Sequence, residues 1–324
     1  MRAVVVDKWM EPSALTVRDW PEPELSPGGL AVDVKSAGCN FFDILMVKGQ
    51  YQVKPPFPFI PGAELAGVVT AVGEGVAGFA PGDRVLASAT LGGFAERIVV
   101  SARGAWKMPE GMTFDEGAGF PIVYPTSYAG LVNRAHLKAG ETLLVHAAAG
   151  GVGIAAVQIG KALGAKVIAT AGGADKLEVA RRVGADVVID YRSDNWVDHV
   201  KEATGGRGAD VIYDPVGGDV FDQSMKCIAW NGRLLVIGFA SGRIPEVKLN
   251  RVLLKNISLV GLHWGAHLMH EPERVPEAFA ALFDLYRAKK IAPVIYRDYP
   301  LAEVPAALEA LGSRGSYGKV VVRP

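Results

Sequence analysis

The stretch Glu141-Thr-Leu-Leu-Val-His-Ala-Ala-Ala-Gly-Gly-Val-Gly-Ile-Ala-Ala-Val-Gln-Ile159 decides how the chain folds. Its apolar run from Thr142 to Val145 predicts one buried strand of a parallel sheet. Small residues follow, and the apolar-periodic segment that continues to Leu163 predicts a helix. A strand, a tight turn and a helix in this order are typical of a dinucleotide-binding turn, in which the N–H groups and the dipole at the helix start attract phosphate.

Two glycines give this turn its expected chemistry. Gly150 lets the backbone approach a pyrophosphate, and Gly153 lets the helix lie close to the strand. The usual first glycine is replaced by Ala148, so the motif reads A-x-G-x-x-G. Glycine-rich turns also occur for purely steric reasons, so the motif carries weight only together with its surroundings.

Composition and charge exclude several classes of protein. The chain has 324 residues, 50% of them hydrophobic, which is enough for two domains with full cores. Lys plus Arg and Asp plus Glu both number 34, and the resulting net charge of zero argues against a nucleic-acid or membrane surface bound through bulk charge. The two cysteines, Cys39 and Cys227, lie far apart in sequence, which excludes a disulfide framework or a cysteine-based zinc site.

Targeting and membrane signals are also missing from the sequence. The N-terminus meets the charged residues Arg2 and Asp7 too early for a secretory signal. The longest run of small apolar residues is the opening stretch, and His146 and Gln158 interrupt it, so it is not a membrane span. We therefore expect a soluble cytoplasmic protein.

Residues 1 to about 120 contain short β-branched runs separated by Pro and Gly pairs. This pattern predicts a compact, partly open β-barrel rather than a parallel sheet. Around Thr113 the character changes to helix, with Asp115 and Glu116 near the helix start. The predicted strands are Ala3–Val6, Leu30–Ser36, Gly67–Val72, Asp83–Ala87 and Gly93–Val100.

From Thr142 onward, predicted strands and helices alternate. Repeated βαβ units with right-handed crossovers predict a doubly wound parallel sheet. The predicted strands are Thr142–Val145, Lys166–Thr170, Asp186–Ile189, Asp210–Asp214, Arg233–Gly238 and Ile257–Val260. The helices between them are predicted at Gly153–Leu163, Ala174–Val183, Asn195–Ala203 and Asp219–Ile228.

The C-terminal tail contains two predicted helices, Pro276–Ala288 and Glu303–Ala310, and a short strand, Lys319–Val322. It is too small to bury a core alone, so we expect it to return to the N-terminal barrel. The predicted domains are therefore residues 1–122 with 266–324, and residues 123–265.

Seven short segments occur in order along nearly the whole chain: Ala37–Asp43, Pro61–Gly67, Gly78–Val85, Ala147–Gly153, Ala165–Ile168, Gly184–Asp186 and Tyr213–Gly218. Together they resemble the medium-chain dehydrogenase/reductase superfamily. Within it the chain is most similar to the zinc-free quinone oxidoreductase branch, which includes zeta-crystallin. The resemblance implies an α/β fold with an N-terminal GroES-like β-barrel domain, which is the catalytic domain, plus a Rossmann doubly wound parallel-sheet domain that binds NADP.

The resemblance also bears on metal binding. The alcohol dehydrogenases of this superfamily have a catalytic Cys where this chain has Asn40, a His-Glu pair where it has Ala63-Glu64, and a second Cys near Ile122. A catalytic zinc needs about three protein ligands, and of these positions only Glu64 retains one. We therefore expect no metal, which disfavours alcohol oxidation and leaves hydride delivery to an acceptor that is already electrophilic.

The choice of cofactor is read at the end of the second strand of the parallel sheet. An NAD enzyme usually has a carboxylate about 20 residues past the glycine turn, whereas the sequence here is Ala169-Thr-Ala-Gly-Gly173. Lys176 and Tyr191 match residues that surround the 2′-phosphate of NADP in the quinone oxidoreductase family, so the resemblance implies NADPH. Alternatively, Lys176 is a solvated helix lysine and Tyr191 a packing residue; Asp175 is expected to cap a helix.

The resemblance implies roles for residues of the N-terminal region. Asn40 and Asp43 are expected to face the nicotinamide and the acceptor, although Asn40 is equally compatible with a helix cap. Tyr51 matches a pocket tyrosine of quinone oxidoreductases and the proposed proton donor of related enoyl thioester reductases. Tyr124 and Thr126, at the domain crossover, are expected to line the cleft, although packing alone explains Tyr124 as well.

The remaining expected cofactor contacts lie at the ends of the parallel strands and at the C-terminus. Carboxyl ends of such strands are where the nicotinamide is expected to lie. His263 is a weak candidate for a general base, and the spacing of His263, His267 and His270 is more typical of chance than of a metal site. The expected contacts are Gly150, Gly151, Val152, Gly172, Gly238, Phe239, Ala240, Ser241, His263, Trp264 and Lys319.

The leading hypothesis is an NADPH-dependent quinone oxidoreductase that transfers a hydride to a quinone in the interdomain cleft without a metal, with water or Tyr51 supplying the proton. A second hypothesis is reduction of an activated C=C bond in an enone, an enal or an enoyl-CoA. A third is a nucleotide-binding or RNA-binding protein with little turnover, which the neutral charge disfavours. An apolar sheet edge at Arg233–Gly238 and Ile257–Val260 predicts a homodimer.

Overall fold

The computed structural model describes residues 1–193 and 195–324. The chain forms two compact units, Met1–Ile122 with Pro293–Pro324, and Val123–Ala292. The second unit ends at Ala292, which is 27 residues beyond the predicted boundary at 265/266. The reason is that the helix Arg274–Arg287 packs against the helix Val123–Tyr128 inside the second unit. None of the helices in the described ranges is both long and apolar enough to cross a membrane.

The strands and helices are numbered in chain order. The strands are β1 Arg2–Val4, β2 Val17–Asp19, β3 Gly29–Gly38, β4 Glu64–Val72, β5 Arg84–Ser88, β6 Arg97–Ser101, β7 Ala105–Lys107, β8 Thr142–Val145, β9 Lys166–Ala171, β10 Val187–Asp190, β11 Ala209–Asp214, β12 Ile228–Val236, β13 Ser258–Gly261, β14 Ile295–Pro300 and β15 Lys319–Arg323. The helices are α1 Phe41–Val47, α2 Phe114–Ala118, α3 Val123–Tyr128, α4 Gly151–Ala162, α5 Ala174–Arg182, α6 Trp196–Ala203, α7 Gly218–Cys227, α8 Leu249–Lys255, α9 His267–His270, α10 Arg274–Arg287 and α11 Val304–Gly312.

The first unit is built on one mainly antiparallel sheet. Strand β3 is its centre, because it pairs with β4, β6 and β15, and the strand order runs β14-β15-β3-β4-β5-β7. The apolar residues of these strands and of α1 and α11 form a single buried core. The C-terminal strand β15 pairs with β3 through Val321 and Gly38, which confirms that the tail returns to the N-terminal region.

The second unit is the predicted doubly wound parallel sheet. Its strand order is β10-β9-β8-β11-β12-β13, and every neighbouring pair is parallel. All four residues of β8 are buried, as expected for a strand covered on both faces. Since all the strands point the same way, their carboxyl ends meet at one edge of the sheet.

Some local predictions differ from the structure. The predicted strand from Gly93 begins only at Arg97, because the amides of Gly92, Gly93 and Phe94 donate to carbonyls of residues 60–62 instead of to a neighbouring strand. The short strand β14 and helix α8 are additions to the elements predicted from the sequence. Helix α1 begins directly after Asn40, which is its N-cap.

Candidate functional site

The predicted turn joins β8 to α4. Gly150 is the N-cap of α4, and the first intrahelical bond is donated by Ile154 to the Gly150 carbonyl, so the N–H groups of Gly151 and Val152 precede it. A Cβ built on Gly153 would lie 2.2 Å from the Ala147 carbonyl oxygen, which confirms that close packing requires glycine there.

The backbone of Gly150 has free space beside it at the start of this helix. A Cβ built on Gly150 would have one neighbour within 4 Å, the Ala147 oxygen at 3.3 Å. The amide of Ala148 donates to the Thr170 carbonyl at 3.0 Å and ties the turn to β9. An open approach to the N-terminus of a 12-residue helix fits a pyrophosphate.

A buried histidine follows β8 and was not singled out from the sequence. His146 Nδ1 lies 2.8 Å from Thr170 Oγ1, and His146 Nε2 lies 2.8 Å from Ser224 Oγ. Because the Ser224 hydroxyl donates to the Val220 carbonyl at 2.7 Å, it accepts from Nε2–H, and Thr170 donates to Nδ1. Burial lowers the pKa of His146 to about 3, so the ring is neutral and ties β8, β9 and α7 together.

The predicted 2′-phosphate residues gather where β9 ends. A Cβ on Gly172 would lie 2.8 Å from the Tyr191 hydroxyl, so the tyrosine ring lies over this glycine, with 42% of its surface exposed. Lys176 lies in the first turn of α5, which begins directly after Gly173. The structure thus brings Gly172, Lys176 and Tyr191 to one end of the sheet.

Arg192 is a further residue at this place that the sequence reading missed. A Cβ on Gly173 would lie 3.5 Å from both terminal nitrogens of the Arg192 guanidinium. Asp190 holds this side chain, with its Oδ2 2.6 Å from Nη2 of Arg192, and also accepts from the Gly173 amide at 3.3 Å. These bonds, that to Arg192 first, hold the pKa of Asp190 well below its usual range. The sequence predicts no carboxylate at the end of β9, whereas the structure brings Asp190 there from the end of β10, already paired with a guanidinium.

The loops after β11 and β12 lie at the same edge of the parallel sheet. The amides of Ala240 and Ser241 donate to the carbonyls of Pro215 and Val216, so the predicted contact segment from Gly238 through Phe239 to Ser241 is fastened to the loop after β11. Asp214 shapes that loop, because its Oδ1 accepts from the amides of Val216 and Gly217 at 2.8 and 3.0 Å.

The histidines after β13 form no metal site. His263 is exposed beside the half-buried Trp264, and its carbonyl accepts from His267 Nδ1 at 3.2 Å. His267 Nε2 in turn lies 3.3 Å from Glu271. Within residues 1–193 and 195–324 there is no group of three or more His, Cys, Asp or Glu side chains that could hold a metal ion. The absence of zinc from the working protein stays a prediction.

The geometry of Tyr124 favours the packing alternative, and its catalytic role stays a prediction. Tyr124 is buried, and its hydroxyl donates at 2.8 Å to Gln158 Oε1, which ties α3 to α4. Thr126 is partly exposed on the same helix. The neighbouring Ser127 was not predicted, yet its hydroxyl lies 3.0 Å from the Val152 carbonyl and supports the start of α4.

The first unit contains a buried ionic cluster around Asn40. Lys319 Nζ lies 2.7 Å from Glu64 Oε1 and 2.8 Å from both Asn40 Oδ1 and the Cys39 carbonyl. Asn40 Nδ2 donates to Glu64 Oε1 at 2.9 Å, and the Ile122 amide donates to Glu64 Oε2 at 2.9 Å. Both ends of the Asn40 amide are therefore held in place.

The side chain of Lys319 is already fully engaged within the first unit. It is 5% exposed, and its three ammonium hydrogens have three acceptors there, so its expected cofactor contact stays a prediction. The ammonium neutralises the fully buried Glu64.

The expectation for Asp43 is corrected. It is fully buried rather than facing a ligand, and its Oδ2 accepts from the backbone N–H of Asn40 at 2.7 Å at the start of α1. Its other oxygen has no hydrogen-bond partner among the described residues. Burial, opposed in part by the Asn40 bond, raises the pKa of Asp43 to about 7. Asp43 acts as the helix cap that fixes the backbone of Asn40.

Tyr51 lies near this cluster in sequence and is partly buried. Its ring packs edge-on against Phe42, with the ring centroids 4.5 Å apart. Burial raises the pKa of Tyr51, so the phenol is protonated at neutral pH.

Comparison with known proteins identifies the family. Residues 26–110 match the alcohol dehydrogenase GroES-like domain, and residues 151–284 match the family described as zinc-binding dehydrogenase. The chain is 42% identical to a quinone oxidoreductase-like protein 2 homolog of Nematostella vectensis, over 99% of this chain and 88% of the relative, and 33% identical to human quinone oxidoreductase, over 99% and 97%. Escherichia coli quinone oxidoreductase, solved in complex with NADPH, superimposes with a TM-score of 0.93 at 32% identity, over all of both chains. The chain therefore belongs to the zinc-free quinone oxidoreductase branch of the medium-chain dehydrogenase/reductase superfamily, with a GroES-like domain and a Rossmann domain.

Proposed function

We propose that this protein is an NADPH-dependent quinone reductase. The observation that carries the proposal is the group of residues at the end of β9: the ring of Tyr191 lies over Gly172, the Arg192 guanidinium lies beside Gly173, and Lys176 is in the first turn of α5. Two cations beside a pair of glycines fit the extra phosphate of NADPH. The names of the relatives and the NADPH in the Escherichia coli structure support the same assignment.

The residues present fit the rest of a dinucleotide. The N–H groups of Gly151 and Val152 would bind the pyrophosphate at the open start of α4. The charge of Asp190 does not oppose a phosphate strongly, because Arg192 and two backbone amides already neutralise and bind it.

NADPH supplies a hydride when bound, and a quinone that accepts this hydride needs a proton to become the hydroquinone. The chain's own contribution is mainly positioning. Lys319 and Glu64 hold both ends of the Asn40 amide, so this side chain offers a fixed polar surface. Tyr51, protonated at neutral pH, or water supplies the proton.

Reduction of an activated C=C bond is the second candidate, because the partly buried phenol of Tyr51 is a proton donor of the kind that such a reaction needs. Hydride addition to an enoyl thioester leaves an enolate that needs a positioned acid, whereas a reduced quinone is a stabilised anion that water protonates readily. General acid catalysis is worth about 10²–10⁴-fold, so Tyr51→Phe should lose that much on a thioester and far less on a quinone.

The experiment is NADPH oxidation with a quinone panel beside crotonyl-CoA and simple enones, in wild type and Tyr51→Phe. We expect quinone turnover and a modest effect of Tyr51→Phe, with NADPH binding unchanged. Poor quinone turnover by the wild type, together with a hundredfold or larger loss on crotonyl-CoA, would favour the second candidate instead.

We also propose that the protein is a homodimer. Strand β13 ends the parallel sheet, and helix α8 beside it leaves Leu249, Leu253 and Leu254 exposed. Soluble proteins tend to pair or cover such an edge, and a second copy pairing β13 with β13 would do both. Light scattering at micromolar concentration should give twice the chain mass of 34.3 kDa, and Leu253→Glu/Leu254→Glu should lower it. A monomeric wild type would contradict the proposal.

A further inference from the structure

A charged cavity lies in the second unit, at the edge of the parallel sheet opposite the turn between β8 and α4. It has a volume of about 230 Å³ and is formed around the first residues of β11 and β12. The turn lies at the carboxyl end of β8, and the three strands are parallel, so the cavity and the dinucleotide site occupy opposite edges of the sheet. The lining side chains are Lys201, Arg207, Lys226, Cys227, Ile228, Trp230 and Lys255.

The charge of this cavity is strongly positive. Four of its side chains are cations, and two of them have carboxylate neighbours: Lys201 lies 3.5 Å from Asp198, and Arg207 lies 3.4 Å from Asp210. Lys226 takes part in none of the ion pairs among residues 1–193 and 195–324. Four positive charges against two negative ones make the cavity an attractive place for an anion.

Lys255 lines the cavity, and backbone carbonyls hold its ammonium in place. Its ammonium donates to the carbonyls of Met225 at 3.0 Å and Ile228 at 3.3 Å, where α7 ends and β12 begins. Burial lowers the pKa of Lys255, with the like charge of Lys201 adding to the effect, so a bound anion would relieve this repulsion. Burial raises the pKa of Cys227 to about 12, so the thiol is neutral and adds no negative charge.

A large aromatic side chain stands at the edge of the same cavity. Trp230 is 66% exposed, which is unusual for tryptophan and is not explained by packing in the chain. Its indole offers a surface on which a planar ring can stack. A volume of 230 Å³ equals that of roughly seven or eight water molecules at about 30 Å³ each. The cavity therefore has room for phosphate groups but not for a whole nucleotide.

We propose that this cavity binds the phosphates of a nucleoside phosphate, with the base outside the cavity and stacked on Trp230. Lys201, Lys226 and Arg207 bind the phosphate oxygens, and Lys255 adds a further positive charge to the cavity. The site is separate from the one that takes the cofactor.

The test is calorimetric titration of ADP into protein saturated with NADPH. We expect a single added site with a Kd below about 1 mM. Lys201→Ala/Lys226→Ala should weaken it at least about tenfold, or about 1.4 kcal/mol. The control, Lys35→Ala/Lys290→Ala, removes two positive charges from exposed positions elsewhere and should bind ADP as the wild type does.

Further titrations test each half of the proposal. Adenosine without phosphate should show no saturable binding, and Trp230→Ala should weaken ADP but not inorganic pyrophosphate. No ADP binding, or equal binding by the Lys201→Ala/Lys226→Ala variant, overturns the proposal. An equal loss of ADP in the Lys35→Ala/Lys290→Ala control also overturns it, since net charge would then explain the binding. Equal effects of Trp230→Ala on the binding of ADP and of pyrophosphate would contradict stacking of the base on Trp230.

Discussion

The two units bury polar side chains next to their candidate sites in opposite ways. In the first, the buried groups are charged: Glu64 is paired with the ammonium of Lys319, and both hold Asn40. In the second, His146 is buried as a neutral ring between two hydroxyls. A neutral network needs only matched donors and acceptors, whereas a buried carboxylate needs an opposite charge as well.

The largest expected effect comes from removing the compensating charge of the first unit. Lys319→Met leaves Glu64 buried without its cation, and losing one partner of a buried pair costs about 3–5 kcal/mol. Urea unfolding measures it. Lys107→Met, which breaks the exposed pair with Asp83, is the matched control in the same unit and should cost about 1 kcal/mol or less.

The double variant Lys319→Met/Glu64→Gln sharpens this result. It removes both charges, and the oxygen of the glutamine amide can still accept from the Ile122 backbone N–H, so it should recover part of the lost free energy of unfolding. A Lys319→Met variant as stable as the Lys107→Met control would show that the buried cluster is not held by its charges.

The neutral network of the second unit should be less sensitive. His146→Leu leaves the hydroxyls of Thr170 and Ser224 without the ring, and buried unsatisfied groups of this kind cost about 1–3 kcal/mol. The measurement is again the free energy of unfolding in urea. A loss greater than that of Lys319→Met would reverse the comparison between the two units.

The two units also differ in the sign of their pH dependence. The pKa of His146 is lowered to about 3, so below its ordinary value of about 6.5 the unfolded chain binds more protons and stability falls with falling pH. The pKa of Asp43 is raised to about 7, so between about 4 and 7 the folded chain binds more protons and stability falls as pH rises.

Single variants separate these two contributions. Between pH 5 and pH 7.5, Asp43→Asn should gain stability relative to the wild type, because the cost of ionising the buried carboxyl is gone. His146→Leu should lose stability relative to the wild type over the same range. Urea unfolding at the two pH values measures both changes, and parallel changes in both variants would contradict these assignments.

The comparison also shows what the sequence could and could not predict. Gly153 was predictable because its role depends on atoms six and fewer residues away, at Ala147 and Ala148. The doubly wound parallel sheet followed from the alternation of strands and helices, which is a local pattern. The roles of Tyr124 and Lys319 were not predictable, because their partners Gln158 and Glu64 lie 34 and 255 residues away.

Asp190 and Arg192 show a finer limit. Both are visible in the sequence directly beside Tyr191, yet pairing between them depends on the backbone turn after β10, which brings their side chains over Gly173. The sequence reading looked for an acid at the end of β9 and found none, whereas the acid that reaches this place comes from the end of β10.

The most direct test of the proposed function is the ratio of kcat/KM for NADPH to kcat/KM for NADH, measured with a 1,4-benzoquinone as acceptor. We expect a ratio of at least about ten in the wild type, or about 1.4 kcal/mol, from the cations beside Gly172 and Gly173. Lys176→Ala and Arg192→Ala should each lower the ratio by weakening NADPH alone, and Arg182→Ala, an exposed cation farther along α5, should leave it unchanged. A wild-type ratio near one, or no turnover of the quinone with either cofactor, would contradict the account.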